Sequence, residues 1–229
     1  MKRVFNLENL RLEHGAHQSR KAGMCLLEAA AWMSGEAHSD HPECVCPILG
    51  EFGRSLNDRL SDEKRQGLKP LLPSMLNTAG DGFQQRRGLM AAAWLITLYT
   101  PTWLELAGID ASQLRQATIN SWDDVEAVTP ILQELAKKSA AASAAAWDAA
   151  SDAASAAAWD AARDAAWDAA SAAAWDAASA AASDAARDAA WDAAWDAAWD
   201  SLQPTVDRLQ SSAIAVFSEM CRLGKEVMA

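Results

Sequence analysis

All four histidines and three of the four cysteines fall between residues 14 and 46, and these side chains have the types and spacing to do chemistry. They stand as His14 and His17 in "HGAH", Cys25 on the segment that follows, and His38, His41, Cys44 and Cys46 in "HSDHPECVC". Zinc takes four tetrahedral nitrogen and sulfur ligands, and His38, His41, Cys44 and Cys46 are the set this sequence offers it. The spacing is irregular, and C-x-C is a weaker signal than paired C-x-x-C knuckles. A second chemistry is a cysteine nucleophile, Cys44 or Cys25, with a histidine as base. No glycine elbow or oxyanion-hole signature accompanies it, so no catalytic residue is assigned. The third reading is a loop whose His38, Ser39 and Asp40 bond its own backbone while the cysteines fill the core. That third reading is the expected one. It needs no cofactor, with zinc as the alternative the His/Cys set allows.

The elements that would position these residues are helices. "KAGMCLLEAAAWMSG" repeats apolar residues at helical spacing, carries Cys25 and Glu28, and ends at Gly35. "PILGEFGRSLNDRL" sets Ile48, Leu49, Phe52, Leu56 and Leu60 on one face, with Pro47 suited to a first helical turn. Ser61 opens a short helix as a capping signal. "KPLLPSMLNTAGDG" reads as a short apolar helix closed by glycines, and "FQQRRGLMAAAWLITLYT" as the most buried helix of the set. Arg54, Arg59, Arg86 and Arg87 are placed on helix surfaces, where they could form a small anion site, though interhelical ion pairs to the many acids are the expected use. Pro101 begins "PTWLELAG", and Pro130 marks a kink or junction in "SWDDVEAVTPILQELAKK". No strand alternation is present. Residues 1–138 therefore form a helical globular domain.

Residues 139–202 follow a different rule. Written in fours from Ser139, each unit reads Trp, Ser or Arg, then Asp or Ala, then a pair of alanines, and only the final pair, Ser201 and Leu202, departs. Seven of the eleven tryptophans and eleven aspartates keep fixed registers of this tetrad, against only Arg163 and Arg187, a net charge of −9. Alanine without Gly or Pro forces helix. Four residues advance ~400°, so each register creeps ~40° per unit, and one straight helix of ~95 Å cannot hold all seven Trp on one face. Trp159, Trp167 and Trp175 share a face, as do Trp191, Trp195 and Trp199. The tract is expected to fold as two or more packed helices, breaking near "SAAAWDAASAAASDAA", where Ser can cap a new start. Indole rings supply nearly all the area worth burying. Asp at i,i+4 costs a few tenths of a kcal/mol per pair, which tertiary burial or a basic partner must offset.

The Asp rows form a ladder of carboxylates ~6 Å apart along the axis, near the phosphate separation of a nucleic-acid strand. Asp160, Asp164, Asp168, Asp188, Asp192, Asp196 and Asp200, with Trp191, Trp195 and Trp199, are the candidate partner-binding residues. Formal net charge is −11 over 229 residues, which disfavours direct nucleic acid and anionic membranes as partners and favours a basic protein surface. The plain alternative is a solvated face that keeps an Ala/Trp tract soluble. No apolar run approaches the ~20 residues of a membrane span. Residues 1–6 lack the apolar stretch of a signal peptide, and four unevenly placed cysteines make no disulfide framework. A reduced, cytoplasmic protein is expected. Residues 203–229 resume ordinary sequence, with Val206, Leu209, Ala213, Val216, Met220 and Leu223 at heptad-like spacing, a C-terminal amphipathic helix packing back.

Residues 23–82 combine a C-x-x-E-A helix, an H-S-D-x-P-E-C loop, an L-N-D helix and a K-P-L-x-P segment. In these motifs the chain resembles an uncharacterised bacterial and phage protein family whose members continue into Ala-rich tracts with Trp and Arg and end in an apolar helix. The resemblance implies the same helical fold and a mobile-element setting, and no activity. The regularity and acidity of this tract depart from the family pattern.

The sequence thus predicts an all-α chain in three parts. It leans toward a non-catalytic acidic protein that docks on a basic surface, such as a nucleic-acid-binding host protein, in the manner of a phage anti-defence inhibitor. A metal- or cysteine-dependent enzyme and a Trp-driven homo-oligomerisation module are the alternatives.

Overall fold

The computed structural model describes residues 7, 9–139, 141 and 200–224, and every regular element among them is helical. The fold is all-α. Most of the tetrad tract, and with it the expected packing of that tract into several helices, lies outside the described residues.

The helices begin where the chain supplies caps. α1 (Leu26–Ser34) starts at a capping box: the Glu28 N–H points at Cys25 Sγ while the Cys25 N–H donates to the Glu28 carboxylate. It ends at Gly35 in the left-handed region. α2 (Pro47–Arg59) has Pro47 in its first turn, where the missing N–H costs nothing. Ser61 Oγ accepts from the Lys64 N–H and opens α3 (Asp62–Gln66). A 3₁₀ turn at Lys69–Leu71 leads into α4 (Leu72–Met75). α5 (Gln84–Trp94) passes through a π turn, Leu95–Tyr99, into α6 (Thr100–Leu106). α7 (Ser112–Gln116) follows, then α8 over residues 122–139 and α9 over residues 200–222.

The chain divides into two compact units. One comprises Met1–Pro101, Ser112–Val128 and Asp207–Ala229; the other comprises Thr102–Ala111 and Thr129–Val206. Helical backbone continues through Pro130, and the division between units falls between Val128 and Thr129. In the second unit Thr102, Leu104, Ala111 and Leu135 are buried.

The core of the first unit lies among α1, α2, α4 and α9. Leu26, Leu27, Leu49, Leu72, Met75, Phe217 and Met220 are fully buried there. Close approach is set by a small residue: a Cβ on Gly53 of α2 would stand 3.1 Å from Phe217 and 3.3 Å from Leu27. Phe52 stacks on Phe217 with ring centroids 5.9 Å apart and meets Trp94 edge-on at 5.7 Å. The Trp94 indole N–H donates to Ser212 Oγ at 3.0 Å, so α9 is fixed to α5 by both apolar and polar contacts.

One arginine departs from the surface placement its sequence suggests. Arg87 is fully buried, its guanidinium gripping both Asp81 oxygens at 2.8 and 2.6 Å while Nε donates to the Met220 carbonyl at 3.0 Å. A buried guanidinium needs paired, hydrogen-bonded partners, and the loop before α5 and the end of α9 supply them. Arg86 and Arg59 are exposed as expected, and Arg54 is half-buried against the Asp40 carbonyl.

Candidate functional site

Glu28 sits in the first turn of α1 and is 1 % exposed. A buried carboxylate must be surrounded by donors, and the capping box brings the first, the Cys25 N–H at 2.8 Å on Oε2. The segment before α1 brings two more. The His17 N–H donates to Oε1 at 2.6 Å, and His17 Nδ1 lies 2.9 Å from Oε2. The loop after α1 brings His38, whose Nε2 stands 3.3 Å from Oε1 and 3.0 Å from the His17 carbonyl oxygen. His17 Nε2 faces the half-exposed Glu13 carboxylate at 3.4 Å. Gly23, at φ 144°, leaves room for this: a Cβ there would fall 2.5 Å from the His17 ring.

The electrostatics follow from that geometry. Burial pushes the Glu28 carboxyl up, but the N–H donors of Cys25 and His17 and the His17 ring outweigh it and hold the group below its ordinary value. Burial pushes the Cys25 thiol up to about 12, and the adjacent Glu28 carboxylate adds to the effect. A thiol in that range is protonated at neutral pH, so Cys25 acts as a cap and core group rather than as a thiolate. Cys44 is likewise raised, by burial first and then by the carboxylate of Glu36.

The four candidate zinc ligands are divided among separate neighbourhoods. His38 belongs to the Glu28 cluster. His41 is exposed, with Nδ1 2.8 Å from Asp40. Cys44 packs beside Glu36, whose carboxylate accepts the Glu43 and Cys44 N–H groups at 2.7 and 2.9 Å. Cys46 is buried at the start of α2, its N–H donating to Thr78 Oγ1 at 2.9 Å. Among the described residues no group of three or more His, Cys, Asp or Glu side chains is arranged to hold a metal ion. Of the loop residues expected to bond the loop's own backbone, Ser39 does so, its Oγ accepting the His41 N–H at 3.0 Å, whereas the His38 ring meets the His17 carbonyl instead.

No family model, curated protein or solved structure matches the chain. Its site must be read from its own residues.

Sequence reasoning placed Glu28 on the helix but missed that it gathers His17 and His38. The C-x-x-E spacing carried that signal, because a carboxylate at the third helical position reaches back to the cap N–H and so points into the preceding loop. Nothing in the sequence marked Asp81 as the partner of a buried Arg87, since the third contact, Met220, is 133 residues away. Of the candidate partner-binding residues, Asp200 is helical and exposed. Asp160, Asp164, Asp168, Asp188, Asp192, Asp196, Trp191, Trp195 and Trp199 lie outside the described residues. Among the described residues no helix is long and apolar enough to cross a membrane.

Proposed function

We propose that this chain is a non-catalytic acidic binding protein that docks on a basic protein surface. The observation that carries the reading is the concentration of charge: residues 139–202 hold a net −9 of the total −11, with eleven aspartates in one register of a four-residue repeat. Rows of carboxylates at that spacing complement a surface built to hold phosphates. The histidine cluster supports the same reading from the other side. Glu28 is fully engaged by backbone and ring donors, and Cys25 is held as a thiol, so this polar cluster serves the fold. In its sharpest form the protein occupies the nucleic-acid channel of a host protein as an anti-defence inhibitor.

The test is a tagged pull-down from bacterial lysate at 50 mM and 500 mM salt, run beside a variant with every tract Asp changed to Asn. Basic nucleic-acid-binding proteins recovered by the wild type at low salt, lost at high salt and lost by the variant are the expected result. Recovery that is identical for the two chains overturns it. A second reading, self-assembly through the tract, is favoured by its seven tryptophans. A native mass of several chains without any partner distinguishes it.

A further inference from the structure

A groove of about 380 Å³ opens on the first unit between α5, the π turn and α9. That volume is within the ~300–1,000 Å³ range of small-molecule sites. Its walls are Met90, Trp94, Leu98 and Val216, and Arg86 stands among the lining residues. The neutral side-chain donors on these walls are already used. Thr97 Oγ1 donates to the Ala93 carbonyl at 2.8 Å and the Trp94 N–H to Ser212. Arg86 is different. It is exposed, and among the described residues it has no ion-pair partner. No carboxylate lines the groove, although acids outnumber bases 31 to 20 across the chain. The wall also contains the Leu95–Tyr99 π turn, closed by the Thr100 N–H on the Leu95 carbonyl. Such single π turns inside α-helices occur frequently at functional sites.

We infer that this groove binds a free single-chain amphiphile with a carboxylate head, the head paired with Arg86 and the hydrocarbon laid along Met90, Trp94 and Leu98. One unpaired guanidinium offers a planar fork that matches one carboxylate. A mostly apolar floor whose Thr97 and Trp94 donors are already engaged favours a hydrocarbon body over a polar one.

Calorimetric titration of the full chain with octanoate, octanol and octylammonium tests it. Octanoate should bind at least ten-fold more tightly than octanol, and octylammonium more weakly than either. Arg86→Gln should bring octanoate down to the level of octanol while leaving the unfolding midpoint unchanged, because the side chain is exposed. Met90→Trp should abolish both titrations by filling the groove, with Ala93→Leu as a second block if the larger residue impairs folding. Octanoate binding no tighter than octanol, an unaffected Arg86→Gln variant, or octanoate binding retained in a folded blocked variant overturns the proposal. So does binding to phosphatidylglycerol vesicles with no response to monomeric octanoate, which would assign the surface to a membrane.

Discussion

At the scale of single residues, the fold depends on a few positions where opposing effects can be weighed. Gly53→Ala adds a methyl 3.1 Å from Phe217 and 3.3 Å from Leu27. Alanine favours a helix interior over glycine by roughly 1 kcal/mol, while overpacking a rigid core costs typically ~1–3 kcal/mol. Phe217 is itself clamped by its stack on Phe52 and cannot retreat freely, so the steric cost wins. The variant should be less stable by about 1 kcal/mol in urea titration, and a gain in stability would show that α9 shifts easily. Arg87→Ala is more severe. It strands Asp81 and the Met220 carbonyl together and removes a fully buried side chain, for a loss of about 3–5 kcal/mol. A midpoint within error of wild type would mean that the guanidinium contributes nothing to the core. Arg87 also shows what sequence withholds. Its helix position reads as surface, and only the return of α9 from far along the chain buries it.

At the scale of elements, Glu28 links the start of α1 to the segments on either side of it, through His17 before the helix and His38 after it. Glu28→Gln keeps the shape but places an amide N–H₂ where a donor already points, so a loss of about 2–3 kcal/mol is expected. The pH dependence has a definite sign. The folded carboxyl lies below its ordinary value of 4.5, so the unfolded chain binds the proton more readily. The stabilisation is complete above that ordinary value and is lost as pH falls through the lower folded value. Glu36 and Asp40 are shifted in the same direction, each against its own burial by hydrogen bonds from neighbours. Urea titrations between pH 7 and pH 3 should therefore show a steep acid limb that is shallower in Glu28→Gln. Equal limbs would place the acid sensitivity elsewhere. Helix starts were legible in the sequence because Pro47 and Ser61 act within a turn of where they stand. The expected apolar face of α2 was legible only in part: Leu49 and Leu56 are buried, but so are Gly50, Gly53 and Asn57. Small and polar residues become interior when a neighbouring helix comes close, which local periodicity does not record.

At the scale of the whole molecule, charge and structure are distributed unequally along the chain. The described core is held by apolar helix faces and a few internally satisfied polar clusters, while the acidity is held by a repeat of alanine, aspartate and tryptophan. The all-α character of the described residues was readable because their sequence does not alternate apolar and polar residues. Within the repeat the sequence is legible as a charge pattern, eleven aspartates in one register of a four-residue unit. That pattern makes a quantitative prediction about binding. Attraction between exposed charges fades beyond a Debye length, ~10 Å at 0.1 M salt and ~3 Å at 1 M. Long-range attraction also acts mainly on the association rate, whereas short-range packing governs dissociation. With a captured basic partner, raising salt should slow association by at least ten-fold and change dissociation far less. Changing the eleven tract aspartates to Asn brings a chain of net −11 to neutrality and should produce the same slow association at low salt. Replacing Trp191, Trp195 and Trp199 by Ala should instead speed dissociation, because indole rings supply contact area rather than field. If the Asn chain associated as fast as wild type, the carboxylate rows would be a solubility device, and the tryptophans alone would have to explain any partner.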